Sequence, residues 1–147
     1  MKKKQLETPK TAVIFARAST KTLLKNQVET CRKYLETKDY KVTKILESTR
    51  DDYENPSMDS AWGELSNLIW RNSIDAVAVT ESDRLTMDWL FKINIIADCL
   101  FFSVKLITVK NPTELFNSRE QLAINYIMGV SKTASELKAK RQKSKMQ

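Results

Sequence analysis

The sequence predicts an α/β fold with a mainly parallel sheet of four to five strands and helices on both faces. Apolar, β-branched runs alternate with helical patterns four times along the 147 residues. The strand candidates are apolar throughout, which is typical of parallel strands that are covered on both sides. A composition of 41% hydrophobic and 29% charged residues is that of an ordinary globular protein. We therefore expect one domain over residues 1–147.

The elements are predicted in order along the chain. Four apolar runs are the strand candidates, near residues 11–16, 42–47, 75–80 and 104–109. Three segments with apolar residues at helical spacing are the first helix candidates, at residues 21–38, 59–72 and 86–101. Residues 1–10 are interpreted as a basic leader. The polar segment 48–60 is predicted to be a surface loop, and such loops often carry function.

A long basic helix is predicted over about residues 114–147, after the break at Asn111-Pro112. Its apolar residues lie on more than one side, so it needs a second surface to cover it. Contact with another copy, in a homodimer, and packing across its own domain both remain open. Net charge is +7, and its C-terminal end is rich in cations. This favours DNA as a partner over a merely solvated helix end. The candidate DNA-binding residues are Lys138, Lys140, Arg141, Lys143 and Lys145.

Several function classes are disfavoured by composition. The chain has no histidine and two cysteines, so we expect no metal site. Cys31 and Cys99 fall in helical apolar patterns and are interpreted as reduced core thiols. With only Gly63 and Gly129, a glycine-rich phosphate loop is absent, which disfavours P-loop enzymes and dinucleotide folds. No apolar run approaches the roughly 20 residues that span a bilayer, and we expect a cytoplasmic protein without membrane contact.

A candidate anion site lies at the ends of the first and third strands. Arg17 and Ser19 end the first strand, and Asp83-Arg84 follows the third. In the flavodoxin-like strand order these two strands flank the point where ligands bind. Two guanidiniums and a hydroxyl can therefore converge on one phosphate. A serine in that position can attack phosphorus while the arginines stabilise the developing charge.

Each of these residues also has a simpler structural role available. Ser19 or Thr20 can be the N-cap of the first helix. Asp83 can cap the third helix. Arg84 can pair with Glu81 or Asp83 at the surface, where an ion pair contributes little. Spacing alone does not decide between these roles and catalysis.

Two motifs change this balance. Residues 15–20 read Phe-Ala-Arg-Ala-Ser-Thr, with Gln27 in the following helix. Residues 75–79 lead into Asp83-Arg84-Leu85. This arrangement resembles the catalytic domain of the serine site-specific recombinases, the resolvase/invertase family, which opens on Tyr-Ala-Arg-Val-Ser-Thr and later shows Leu-Asp-Arg-Leu-x-Arg. The resemblance covers nearly the whole chain in the order and length of its elements.

The resemblance implies a resolvase-like fold and a DNA strand-transfer activity. Ser19 would be the nucleophile that forms a phosphoserine link and releases a 3′-hydroxyl. Arg17 and Arg84 would bind and polarise the phosphate, and Asp83 would orient Arg84 or move a proton. Subunits of a tetramer would then exchange and reseal strands, with no metal or nucleotide cofactor. The supporting positions would be Phe15, Gln27, Glu47 and Arg50.

The sequence departs from the family pattern at the expected arginines. Met87 follows Asp-Arg-Leu, and Ala61 stands at the start of the second helix. Arg50 or Arg71 is a candidate replacement for a lost guanidinium. These departures support an alternative: a catalytically degenerate relative that binds DNA or a recombinase partner without cleavage. We recognise no DNA-reading domain in the sequence, so either a separate domain or protein reads the site, or DNA contact is weak and nonspecific. A flavodoxin-like signalling module is disfavoured, since its required acids are not at the strand ends.

Overall fold

The computed structural model describes residues 9–50 and 55–110, together with Asn125 and Gly129. Two short 3₁₀ turns, Pro56–Met58 and Ser82–Arg84, lie in the loops after the second and third strands. The strands and helices in chain order are β1 (Lys10–Arg17), α1 (Lys21–Thr37), β2 (Tyr40–Ser48), α2 (Ser60–Trp70), β3 (Ala76–Val79), α3 (Trp89–Phe101) and β4 (Lys105–Thr108).

The four strands form one parallel sheet in the order β2-β1-β3-β4. This confirms the predicted parallel sheet and its flavodoxin-like order. β1 pairs with β2 from Lys10 to Arg17, with a register shift after Ala12, and with β3 from Ala12 to Ile14. The carboxyl ends of β1 and β3 therefore meet at one edge, where ligands bind in such sheets.

Helices cover both faces of the sheet, as predicted. The side chains of Ala12, Ile14 and Ala16 point to one face, and Val13 and Phe15 to the other, because successive strand residues alternate. All five are fully buried, which explains the continuous apolar run. On the first face they meet α1, and on the second they meet α2 and α3. The main helix residues in these contacts are Leu24, Val28, Cys31 and Leu35 of α1, and Trp62, Leu65, Ile69, Ile93 and Ile96 of α2 and α3.

The third helix begins later than predicted, at Trp89 instead of residue 86. The Asp88 carboxylate accepts hydrogen bonds from the backbone N–H groups of Leu90 and Phe91, at 3.0 and 3.3 Å. Asp88 is therefore the N-cap, and the helix begins at the next residue, Trp89. The suggestion that Asp83 caps the helix is therefore wrong. Asp83 lies instead in the 3₁₀ turn before it.

Some predictions fall outside the described residues. These are the leader up to residue 8, residues 51–54, and almost all of the predicted long helix with its five candidate DNA-binding cations. Within that helix, Asn125 and Gly129 are described, and both are helical. Lys10, assigned to the leader, is the first residue of β1. Among the described helices, none is both long and apolar enough to span a membrane.

Cys31 and Cys99 are buried and form no disulfide, as expected. Burial raises the pKa of each thiol to about 12, and the negative charge of Asp98 adds to the shift at Cys99. Since the thiolate is the reactive form, neither residue is expected to react with iodoacetamide at pH 8 in the native protein. Both should react fully in guanidinium chloride. Intact-protein mass spectrometry measures both reactions, and rapid native labelling would contradict the burial.

Candidate active site

The end of β1 is fixed by the side chain of Gln27 from α1. The Arg17 backbone N–H donates to Gln27 Oε1 and Gln27 Nε2 donates to the Arg17 carbonyl, each at 3.0 Å. Both residues are buried. Beyond this pair, the Ala18 N–H donates to the Ser48 carbonyl at 3.1 Å. The main chain therefore leaves the sheet toward Ser19 in one defined direction.

The Arg17 side chain joins the ends of β1 and β3. Arg17 is 3% exposed. Its Nη2 donates to the Asp83 carbonyl at 2.6 Å, and its Nε donates to the Arg84 carbonyl at 3.3 Å. The Arg84 Nη1 lies 3.5 Å from the Arg17 carbonyl. The two arginines predicted from sequence thus come together, and the Arg17 guanidinium holds the Ser82–Arg84 turn in place.

Thr20, not Ser19, is the N-cap of α1. The Thr20 Oγ1 accepts a hydrogen bond from the Leu23 N–H at 3.2 Å, and its backbone is extended, as capping residues are. Ser19 is exposed, and within the described ranges its hydroxyl makes no hydrogen bond. Ser19 therefore presents an exposed hydroxyl beyond the carboxyl end of the central strand, just before a helix N-terminus that favours anions.

Because Thr20 caps α1 and Ser19 does not, a substitution at Thr20 should lower stability without affecting Ser19. Replacing Thr20 by alanine removes the acceptor for the Leu23 N–H and is expected to lower the free energy of unfolding by about 1 kcal/mol. The chemistry assigned to Ser19 should be unaffected at temperatures where the variant is folded. Urea unfolding followed by circular dichroism measures the first effect. The variant Thr20→Ser, which keeps the capping oxygen, is the control and should remain close to wild type.

The Asp83 carboxylate is bound by a residue that sequence reasoning missed. Lys92 Nζ lies 2.6 Å from Asp83 Oδ1, and the Lys92 side chain is 5% exposed whereas that of Asp83 is 55% exposed. The second acid near Arg84, Glu81, pairs with Lys110 at 3.5 Å. The suggested pairing of Arg84 with either acid is therefore wrong. The signal in the sequence was a lone lysine on an apolar helix face, three and four residues before Ile95 and Ile96.

Arg84 lines a pocket of about 200 Å³ at the carboxyl ends of β3 and β4. Gln27 and Asn26 form its α1 wall, and Thr80 and Lys110 lie on the opposite side. Glu81 also lines the pocket and pairs with Lys110 at 3.5 Å, so the Arg84 guanidinium is the group of this lining that suits an anion. Arg84 is half-buried, so its guanidinium is partly accessible.

Arg50 and Glu47 lie at the neighbouring end of β2. Arg50 is 6% exposed and forms an ion pair with Asp59, the N-cap of α2. It also donates to the Leu85 carbonyl, and its guanidinium lies 5.3 Å from the centre of the Trp62 ring. Glu47 is exposed and lines a polar pocket of about 250 Å³ that includes Arg50 and Asp59. Arg50 therefore connects three elements of the fold around the start of α2.

Metal ligation has no candidate in this part of the molecule. Across residues 9–50 and 55–110, no group of three or more acidic or cysteine side chains is arranged to hold an ion.

Comparison with known proteins identifies the fold family. Residues 12–147 match the family described as Resolvase, N terminal domain. This chain belongs to the resolvase family. The suspected serine recombinase catalytic domain is thereby confirmed, and the resolvase-like sheet described above is its fold. No curated protein sequence matches the chain.

Solved structures of recombinase domains share the fold of this resolvase-family chain. The N-terminal catalytic domain of TP901-1 integrase has a TM-score of 0.65 at 19% identity, covering 87% of this chain and 98% of its own. The C-terminal catalytic domain of ISC1926 TnpA, an IS607-like serine recombinase, has a TM-score of 0.62 at 23% identity, covering 85% and 99%. A resolvase family site-specific recombinase from Streptococcus pneumoniae has a TM-score of 0.60 at 14% identity, covering 93% and 95%.

This resolvase-family chain departs from the family pattern at Ala61 and Met87. Ala61 is buried in the first turn of α2, two residues after Asp59, so the Arg50 guanidinium lies close to it. Met87 is 51% exposed just after the Ser82–Arg84 turn. Arg71 ends α2, and α2 leads into the start of β3, so Arg71 lies at the opposite edge of the sheet. Its suggested role as a replacement arginine is therefore wrong.

Phe15 has a core position in the resolvase-family fold. It is fully buried, and its ring meets that of Trp62 edge to face at 6.2 Å between centroids. Such a pair contributes about 0.5–1.5 kcal/mol beyond the burial itself. Phe15 therefore fixes β1 against α2 within the core, and its role as a supporting residue of the site stays a prediction.

Proposed function

We propose that this resolvase-family chain is a serine site-specific recombinase that cleaves and rejoins DNA through a phosphoserine at Ser19. The observation that carries the proposal is the exposed Ser19 hydroxyl at the carboxyl end of the central strand, relieved of capping by Thr20 and two residues from Arg17. Serine and arginine at this spacing, followed by a helix N-terminus, suit attack on a phosphate.

The reaction follows from these positions. The Ser19 Oγ attacks the scissile phosphorus, an Oγ–P bond forms, and the bond to the 3′-oxygen breaks. The serine proton is transferred away, and a proton is delivered to the departing 3′-oxygen, which becomes a 3′-hydroxyl. Rejoining is the reverse attack by a 3′-hydroxyl on the phosphoserine. The number of phosphoester bonds is conserved, so no nucleotide cofactor is required.

Arg84 and Arg17 have different roles in stabilising the phosphate. Arg84, half-buried at the edge of its pocket, binds the nonbridging phosphate oxygens. Arg17 places its charge beneath the same phosphate while holding the Ser82–Arg84 turn through its carbonyls. Asp83 lies in the same turn, with its carboxylate bound by Lys92. Loss of one preorganised donor to the developing charge typically costs about 10²–10³ in rate. Arg50, beside the start of α2, adds a further positive charge near the proposed phosphate site.

The proposal extends to partners. DNA contacts are assigned to the cationic end of the chain, and assembly into a dimer or tetramer is assigned to the predicted long helix. Reading of a specific site is assigned to a separate domain or protein, and the location to the cytoplasm. The DNA-contacting residues in this proposal are Lys138, Lys140, Arg141, Lys143 and Lys145. Recombination, whether integration, resolution or inversion, follows from strand exchange in the tetramer.

Capture of a covalent adduct tests the proposal. The full chain is incubated with a library of nicked duplexes of random sequence, so that cleavage next to the nick releases a short fragment and traps the enzyme. Protein-linked DNA is recovered under denaturing conditions and sequenced, and the linked peptide is identified by mass spectrometry. We expect a nucleotide phosphate on Ser19. Attachment at another serine would overturn the assignment. If no adduct forms although the chain still binds DNA or a recombinase, the result would favour the non-cleaving alternative.

A further inference from the structure

Lys92 is a buried cation that the proposed chemistry does not use. It lies on the inner face of α3 beside Ile93, Ile96 and Cys99, all of them buried apolar residues. Its ammonium reaches out of this layer to Asp83 Oδ1 at 2.6 Å. Burying a lysine costs free energy unless its charge is compensated, so an apolar residue would be the simpler choice at this position. The location indicates a role at the Ser82–Arg84 turn.

That role follows from the order of residues in the turn. Asp83 immediately precedes Arg84, and a carboxylate binds a guanidinium through the same fork geometry that a phosphate uses. A free Asp83 carboxylate therefore competes with a DNA phosphate for Arg84. In the structure the Asp83 carboxylate is bound to Lys92, and the Arg84 guanidinium is directed to the Arg17 carbonyl at 3.5 Å, the outer limit for a hydrogen bond.

Lys92 and Lys110 each pair with an acid near Arg84, but the two pairs differ in burial. Glu81, the other acid beside Arg84, is paired with Lys110 at 3.5 Å, and both of those side chains are at least 39% exposed. Such an exposed pair is weak and opens readily. The Lys92 ammonium is fixed by the burial of its own side chain, so it holds Asp83 in one place.

We propose that Lys92 is a positioning residue that binds the Asp83 carboxylate and thereby keeps Arg84 available for a DNA phosphate. The inference rests on the proposed function, because it takes Arg84 as the phosphate-binding group. It adds a requirement that the motif itself does not contain: a cation nine residues after Asp83, supplied from the inner face of α3.

Inorganic phosphate is the probe that tests this inference. The full chain, labelled with ¹⁵N-arginine, is titrated with phosphate while the Arg84 Nε–Hε signal is followed by NMR; the variant Arg84→Lys assigns that signal. In Lys92→Met the unbranched apolar side chain preserves the packing of the methylenes. We expect this variant to weaken phosphate binding at Arg84 by about tenfold. Lys92→Arg should retain the affinity, and Lys33→Met, at an exposed lysine of α1, is the matched control.

Removal of the competing carboxylate is the decisive step. In the double variant with Lys92→Met and Asp83→Asn, phosphate affinity at Arg84 should return to within about threefold of wild type. Unchanged affinity in folded Lys92→Met would overturn the inference, as would a loss that Asp83→Asn fails to rescue, since that result would assign Lys92 a purely structural role. If Lys92→Met does not fold, Lys92→Gln, which keeps a donor without the charge, replaces it. The titration needs no DNA cleavage, so absence of the Ser19 adduct together with rescue would reject the proposed function alone.

Discussion

Replacing Ser19 by alanine is expected to abolish covalent attachment to DNA, lowering the adduct yield by about 10³-fold or more, because the attacking oxygen is removed. DNA binding should change by less than about twofold, since Ser19 contributes no charge. The free energy of unfolding should change by no more than about 0.5 kcal/mol, as is usual for an exposed side chain without structural bonds. Denaturing gels of the trapped complex, fluorescence anisotropy and urea unfolding measure the three quantities.

A second serine at the same edge provides the control for this experiment. Ser82 lies in the turn before Arg84, and its described hydrogen bond uses the backbone carbonyl, which accepts from the Leu85 N–H at 3.1 Å. Ser82→Ala should therefore leave both the turn and the adduct yield intact. Full adduct formation by Ser19→Ala would disprove the assignment of the nucleophile. Parallel loss in both variants would point to general disturbance of the edge instead of loss of the attacking group.

The fold was predictable because its main signals are local. β1 is a run of apolar residues that alternate between two helix layers, so both its extent and its burial on two faces could be inferred from residues 11–16. The β-α alternation then indicated parallel strands, and the expected flavodoxin-like order was confirmed. The start of α3 was harder to predict from sequence, because a 3₁₀ turn and the Asp88 cap interrupt a pattern that otherwise continues the helical spacing.

The contacts of the candidate site were less predictable because they join distant parts of the chain. The motif indicated that Arg17 and Arg84 converge, but not that the Arg17 guanidinium would bind the carbonyls of the turn 66 and 67 residues later. The carbonyls of Asp83 and Arg84 accept from the Arg17 guanidinium, which offers several donors at once. Gln27 and Lys92 follow the same logic: their spacing places them on inward helix faces, while their partners are set by tertiary packing.

Replacing Arg50 by methionine is expected to lower the free energy of unfolding by about 3–5 kcal/mol. The change leaves the Asp59 carboxylate, 11% exposed, without its cation and the Leu85 carbonyl without the Arg50 donor. It also removes the cation–π contact with Trp62. Urea unfolding followed by circular dichroism measures this loss. The size of the effect reflects a charge left buried, because removing one partner of a buried pair costs more than the pair itself contributes.

A double-mutant cycle with Asp59→Asn distinguishes this structural role from direct phosphate binding. If Arg50 chiefly neutralises Asp59, the double variant should recover part of the stability lost in Arg50→Met, with a coupling of about 1–3 kcal/mol. Arg32→Met is the matched control, since Arg32 pairs with Glu29 at 3.8 Å on the surface of α1 and should cost no more than about 0.5 kcal/mol. A stable Arg50→Met with weakened DNA binding would instead assign the guanidinium to the phosphate. The expected result makes Arg50 the cation that joins the start of α2 to Leu85, so that the turn carrying Arg84 is held from two sides, by Arg17 and by Arg50.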